Sequence, residues 1–421
     1  MQRQVIISGI GAVTACGLGA DALWRHVVGG VSAVQPWPEA EASGLAVRIG
    51  AQVVGFDPER FVPRKMARRL DRSAQFALGA ATMALADAGL NTSPASPERC
   101  GVFDGSSLGS TALVIEQLRK SLAGDNCAHG PSILVCGMSG NSSGAIAMQF
   151  GFKGPAVTLS HGSVSSACAV GHGLRGIERG DLDVAIVGGT EAPLHLDIVR
   201  PFVHAGVLSK FNGSPHAACR PFAADRDGFV LGEGAVYLVL EERQHAILRR
   251  AKMYCRAAGF AETCDAFHPT SPDPEGVMLA VAIRKALDDA ELAPGEIGYV
   301  NLHGTATSAN DPAECNAVRA IFGPTENQPA CGSTKPVTGH LLGACGALEA
   351  AVIALAVDRQ VIPPSINSTP RDPQCDINCA GDKSHKTDIQ AAVSANCSFG
   401  GRNACLVFCK IDNGSSGKEY V

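Results

Sequence analysis

Two side chains in the stretch TLSHGSVSSACAVGHG, residues 158–173, could attack a carbonyl carbon: the hydroxyl of Ser163 and the thiol of Cys168. A thiol ionises closer to neutral pH and is the better nucleophile, whereas a serine hydroxyl needs a neighbouring base. Two histidines stand where loops meet regular structure. His303 ends the apolar run YVNLHG, a strand-to-loop junction that can push an imidazole into a pocket, and His340 follows Thr338-Gly339 just ahead of an apolar helical run. Which nucleophile shares a pocket with these imidazoles decides the chemistry.

The elements that must position these groups fall into two halves. The first runs from the strand VIISGIGAV to the strand GAVYLVLEE, and includes RRLDRSAQFALGAATMALADAGL, apolar at helical spacing and closed by glycine. The second runs through the helix GVMLAVAIRKALDDAEL, the strand IGYVNLHGT, the helices AECNAVRAIF and LLGACGALEAAVIALA, and the strands QAAVSANCSFGG and NACLVFCK. Alternating strands and helices predict an α/β protein with largely parallel sheets covered by helices. The division is 1–250, carrying the nucleophile, and 251–412, carrying both histidines, with 413–421 a flexible tail.

At 421 residues, with 46% hydrophobic and 18% charged residues, the chain has enough apolar sequence for a large core. A net charge of −5 gives no global basic field for nucleic acid. No apolar run approaches the roughly 18 residues of a membrane span. The opening MQRQVIISGIGAVTACG reads as a strand and a glycine-rich turn rather than a secretory signal. None of the 16 cysteines makes a CxxC pair or a zinc-finger spacing with histidine, so they are expected to be reduced, mostly buried thiols of a cytoplasmic protein, with no metal.

Four further stretches carry a family likeness. HGTATSAND (303–311), GSTKPVTGHLLGACGALEA (332–350), CRPFAADRDGFVLGEGA (219–235) and SANCSFGGRNA (394–404) resemble, in order, segments of the β-ketoacyl synthase (condensing enzyme) family. The resemblance implies a thiolase-like, five-layered αβαβα fold made of two similar halves. It also fixes the register. The family places its cysteine nucleophile nine residues after a Gly-Pro and seventeen before a Gly-Asp. Counting from Gly154-Pro155 and from Gly180-Asp181 both lands on residue 163, whereas Cys168 would need compensating gaps and would lie on the wall of the following helix.

What the resemblance implies for the remaining residues follows residue by residue. His303 and His340 would hold the malonyl thioester oxygen and stabilise the enolate left when CO₂ departs. Lys335 would orient a histidine and tune the charge of the pocket. Phe399 would serve as the gate, and its backbone N–H together with that of Ser163 would form the acyl oxyanion hole, with Gly400 and Gly401 allowing close approach. Thr305 and Thr307 would bond the phosphopantetheine arm. Asp311 and Glu314 read as structural, the latter salt-bridged beneath the site, and Asp225, Arg226 and Asp227 as braces. Two departures touch the gate: the family's Phe-Gly is Cys397-Ser398 here, and its threonine is Arg402.

The implied activity is decarboxylative condensation of an acyl chain with malonyl-acyl carrier protein in polyketide or fatty acid biosynthesis, needing no cofactor of its own. An acidic carrier would dock on Arg64, Lys65, Arg68 and Arg69, with Lys210 across the entrance. The protein would pair as a homodimer, or as a heterodimer with a chain-length-factor-like subunit. Serine at residue 163 predicts impaired elongation, and the otherwise intact site favours an inactivating or trapping Cys-to-Ser replacement. A chain-length-factor-like non-elongating partner, or a natural serine-dependent acyltransferase or decarboxylase, are the alternatives.

Overall fold

The computed structural model describes residues 3–90, 96–125, 130 and 133–411; the expected tail, 413–421, lies outside them. The main elements follow one order twice. The first half runs β1 (Val5–Thr14), α1 (Arg72–Ala88), β2 (Cys100–Gly105), α2 (Asn141–Phe150), β3 (Ala156–Leu159), α3 (Ser165–Glu178), β4 (Val184–Glu191) and β5 (Gly234–Glu242). The second runs β6 (Cys255–Cys264), α4 (Val277–Asp289), β7 (Ile297–Asn301), α5 (Asn310–Phe322), β8 (Ala330–Gly332), α6 (Cys345–Arg359), β9 (Ala391–Ser398) and β10 (Arg402–Cys409).

The lateral strand orders match as well: β3-β2-β4-β5-β1 in one half and β8-β7-β9-β10-β6 in the other, joined where β1 pairs with β6. Each half is mixed rather than largely parallel. The pairings β2–β3, β2–β4, β7–β8 and β7–β9 are parallel. Those of β5 with β4 and β1, and of β10 with β9 and β6, are antiparallel. The cause is local. β9 and β10 form a hairpin through residues 399–401, which forces antiparallel pairing. In the first half β5 comes back beside β4 after an excursion over 192–233.

Helices α1 and α2 cover the outer face of the first half, α4 and α5 that of the second, and α3 and α6 lie between. This is the five-layered, thiolase-like fold of two similar halves. The middle position explains the composition of α6, whose residues Cys345 through Val357 are all buried; a helix packed on every side has no polar face to offer. The two central helices cross closely: a Cβ on Gly346 would stand 2.6 Å from the backbone nitrogen of Ala167. Their N-termini are pinned together, the Ala347 N–H donating to Ser166 Oγ at 2.9 Å. No helix among the described residues is long and apolar enough to cross a membrane.

Candidate active site

Each central helix is preceded by a tight turn, and the site forms where the two turns meet. Ser163 lies in the single turn Gly162–Val164 that leads into α3. Gly162 takes φ +63°, a left-handed value that turns the chain sharply into the helix. The second turn, Leu342–Ala344, leads into α6, with His340 just ahead of it. His303 stands two residues beyond the end of β7.

These turns bring Ser163 Oγ to 3.1 Å from His340 Nε2. The rings of His303 and His340 meet edge to face with centroids 5.1 Å apart. Both are buried, and both face a cavity of about 580 Å³ that Ser163, Thr305, Thr307 and Phe399 also line. Cys168 lies elsewhere. It is buried in the wall of α3, and its thiol donates to Glu262 Oε2 at 3.3 Å. Burial, reinforced by the charge of Glu262, pushes its pKa far above the ordinary thiol value. It is the hydroxyl of residue 163, not the thiol of residue 168, that faces the imidazoles.

Beneath the histidines sits a buried ion pair. Lys335 Nζ donates to Glu349 Oε1 at 2.5 Å and approaches His303 Nδ1 at 3.2 Å. Burial alone would lower the lysine's pKa, but the Glu349 carboxylate, joined by Cys345 and Glu314, outweighs it and holds the ammonium above its usual value. The charged lysine has only donors, so His303 Nδ1 must accept, and the proton of this neutral ring resides on Nε2. Burial and the Lys335 charge hold His303 well below 6.5, with His340 adding to the effect. The same two causes, burial first, lower His340. Its Nδ1 is buried without a hydrogen-bond partner among the described residues, so no third group orients the ring as in a Ser-His-Asp triad.

Glu314 accepts the backbone N–H groups of His303 and Gly304 at 2.6 and 2.7 Å, and Asn310 Nδ2 at 2.6 Å. This corrects the expected salt bridge: hydrogen bonds hold the loop, and burial pushes this carboxyl up to about 8. Asp311 braces the same loop from Phe222 N–H and Ala306 N–H. Arg226 and Asp227 do more than brace, since both also line the cavity.

The remaining expected residues separate. Thr305 and Thr307 share a hydrogen bond of 3.1 Å between their hydroxyls. Phe399 is 44% exposed on the cavity wall, whereas Gly400 and Gly401, at φ +81° and +68°, shape the hairpin and do not line the cavity. Lys210 is exposed, and its backbone N–H bonds Asp227 at the cavity wall. Arg64, Lys65, Arg68 and Arg69 are exposed on and just after the short helix Arg64–Ala67, which contributes nothing to the cavity lining.

Two residues were passed over in the sequence, and a third, Ser398, was noted only as a departure beside the gate. Glu349 pairs with Lys335; a lone acid inside the apolar run LLGACGALEAAVIALA was the available signal. Phe229 presents an edge-to-face contact to His340 at 4.9 Å. Ser398 Oγ accepts the backbone N–H of Ser163 at 2.8 Å, on one of the two donors expected to form the oxyanion hole.

Among the described residues, two clusters bring metal-ligand atom types within 4.8 Å of one another: His161, Cys168 and Glu262, and His303, Cys345 and Glu349. In the second the Lys335 ammonium already stands against both the imidazole and the carboxylate. The cation there is the lysine.

Residues 2–246 match the beta-ketoacyl synthase N-terminal domain and residues 254–369 its C-terminal domain. The chain belongs to the β-ketoacyl synthase family. It is 36% identical over 409 residues to 3-oxoacyl-[acyl-carrier-protein] synthase 2 of Synechocystis sp., covering 97% of this chain and 98% of that one. Similar solved structures include two ketosynthases. One is a type II polyketide synthase ketosynthase, bound to the hexaketide and in complex with its acyl-carrier protein (TM-score 0.89, 28% identity, 98% and 100% of the two chains covered). The other is the ishigamide ketosynthase/chain length factor (TM-score 0.88, 30% identity, again 98% and 100%).

Proposed function

We propose that this chain is a ketosynthase subunit that condenses an acyl chain with malonyl-acyl carrier protein, with Ser163 in the place of the acyl-accepting nucleophile and elongation slowed by it. The observation that carries this reading is the 3.1 Å approach of Ser163 Oγ to His340 Nε2, in a cavity that His303 also faces. The substrate arrives on the carrier's phosphopantetheine arm, past Thr305 and Thr307, and no cofactor of the protein's own is required.

Acylation moves the Ser163 proton to neutral His340 while the oxygen attacks the thioester carbon and the carbon–sulfur bond breaks. A developing negative charge at the N-terminus of α3 is favoured by the helix dipole. Decarboxylation of the malonyl unit then breaks its C–C bond, releases CO₂ and leaves an enolate. The Nε2–H of His303, fixed by Lys335, donates to the enolate oxygen. The enolate carbon attacks the carbonyl carbon of acyl-Ser163, the ester C–O bond breaks, and the released Ser163 alkoxide takes a proton from water as the 3-oxoacyl product forms. That ester is a poorer electrophile than a thioester, which is why elongation is slow and why a replaced cysteine fits the site. The fold is compatible with either a like partner or a chain-length-factor-like one.

A non-elongating decarboxylase is the second reading, favoured by His340 Nδ1, which has no partner among the described residues, and by the bond between Ser163 N–H and Ser398. Purified protein given malonyl-acyl carrier protein and an acyl donor tests both. CO₂ release lost in His303→Ala, with a 3-oxoacyl product appearing in Ser163→Cys, is the expected result. CO₂ release with no condensation even in Ser163→Cys would favour the decarboxylase; neither product in any form would leave only a scaffold.

A further inference from the structure

The backbone N–H of Ser163 has one hydrogen to give, and it gives it to Ser398 Oγ at 2.8 Å. Ser398 is the last residue of β9, directly before Phe399 and the two left-handed glycines of the hairpin. Room for its hydroxyl exists because residue 162 is glycine: a Cβ there would come within 2.1 Å of Ser398 Oγ. Gly162 and Ser398 are matched, one lacking the atoms that the other's hydroxyl displaces.

We propose that Ser398 determines what the site does with a thioester. Its hydroxyl oxygen fills the position that the carbonyl oxygen must take during attack by residue 163, and so holds back acyl transfer relative to malonyl decarboxylation. The proposal rests on the ketosynthase reading above and sharpens it. During acylation the nucleophile adds to the carbonyl carbon, the π pair moves onto the oxygen, and collapse expels the donor thiolate. The proton taken by His340 then goes to that thiolate. The oxyanion needs donors at that moment, and while Ser163 N–H is held by Ser398 one of them is missing. Decarboxylation does not draw on this donor, because its charge develops on the oxygen facing His303 and His340. The same hydroxyl therefore burdens one step and spares the other.

The selectivity is readable in the Ser163→Cys form, using an acyl N-acetylcysteamine thioester, which needs no carrier docking, as donor. Intact-mass spectrometry follows the covalent adduct over time, and CO₂ release from a malonyl thioester is measured in parallel. One oxyanion-hole donor is worth on the order of 10²–10³ in rate, so adding Ser398→Ala is expected to speed acylation at least about tenfold. The ratio of acylation to decarboxylation should rise with it. Ser398→Gly should do the same, and Ser398→Thr, which keeps a hydroxyl, should stay slow. The alanine form retains the Cβ at the strand end and its melting temperature reports on folding. Acylation that is unchanged or slower in a normally melting Ser398→Ala protein overturns the proposal and leaves the ketosynthase reading standing. No adduct in any variant, Ser163→Cys alone included, overturns both.

Discussion

Lys335 Nζ and Glu349 Oε1 lie 2.5 Å apart, and each side chain is 1% exposed. A pair so deeply buried serves two purposes that mutagenesis can separate. Removing one partner leaves an uncompensated buried charge, which typically costs about 3–5 kcal/mol, while replacing both by apolar groups is often near neutral. Glu349→Met should therefore lower the melting temperature sharply, and Lys335→Met plus Glu349→Met together should recover much of the loss. Decarboxylation should not recover, because His303 Nδ1 has then lost its ammonium donor. A double variant as active as the parent would show that the pair only holds the fold.

The buried titratable groups also give stability a two-sided pH dependence. His303 and His340 are held well below 6.5, by burial first and then by Lys335. The unfolded chain takes up protons near 6.5 that the folded protein refuses, so this contribution falls as pH drops below that value. Glu314 works in the opposite sense. Between 4.5 and about 8 the folded protein keeps a proton that the unfolded chain releases, so stability declines as pH rises through that window. Glu314→Gln cannot ionise, and a melting-temperature series should show a shallower decline across the same window with the acid side unchanged. An identical slope in both proteins would mean that Glu314 is already ionised in the fold.

Much of this was legible in the sequence because its motifs are contiguous. HGTATSAND and GSTKPVTGH carry their histidines at fixed offsets from elements with clear periodicity, and the strand–helix alternation marks two α/β halves, whose similarity is what the family resemblance implies. Long-range contacts beyond those the family resemblance implies were not legible. Ser398 and Ser163 are 235 residues apart in the chain and meet only because a hairpin of the second half folds against a turn of the first. The mixed sheets were missed for a related reason: alternation indicates which helices cover a sheet, but not that β10 turns back on β9. Glu349 lay in plain view, yet apolar surroundings alone do not name a partner fourteen residues upstream.

Placing a thiol at residue 163 tests the consequence of the serine. A thioester intermediate is attacked more readily by a carbanion than an oxoester, and a thiolate needs less help from His340. Ser163→Cys should raise condensation by at least about 10²-fold, on the scale that an activated nucleophile contributes in general acid–base chemistry. Cys168→Ala should leave condensation as it was, since that thiol is bonded to Glu262 away from the imidazoles. Loss of activity in Cys168→Ala with normal melting would shift the nucleophile to residue 168. The readout is 3-oxoacyl product resolved by mass spectrometry.

The proposed carrier surface can be tested apart from the chemistry by comparing two donors. The chain carries a net charge of −5, so an acidic carrier must be drawn by a local basic patch. Arg64 is already paired with Glu59 at 3.3 Å, which leaves Lys65, Arg68 and Arg69 as the stronger attraction on that face. Charge reversal at Arg68 and Arg69 should lower kcat/KM for malonyl-acyl carrier protein about tenfold or more, because opposite-charge steering becomes repulsion. The malonyl N-acetylcysteamine thioester should react as before, since neither Arg68 nor Arg69 lines the cavity. The difference should shrink as ionic strength rises, with exposed charges screened beyond about 8 Å at physiological salt. Lys210→Glu should behave likewise if the carrier reaches across the entrance, where the Lys210 backbone bonds Asp227. Equal losses with both donors would place the defect in the site rather than on the surface, and no loss with either would move docking to another face.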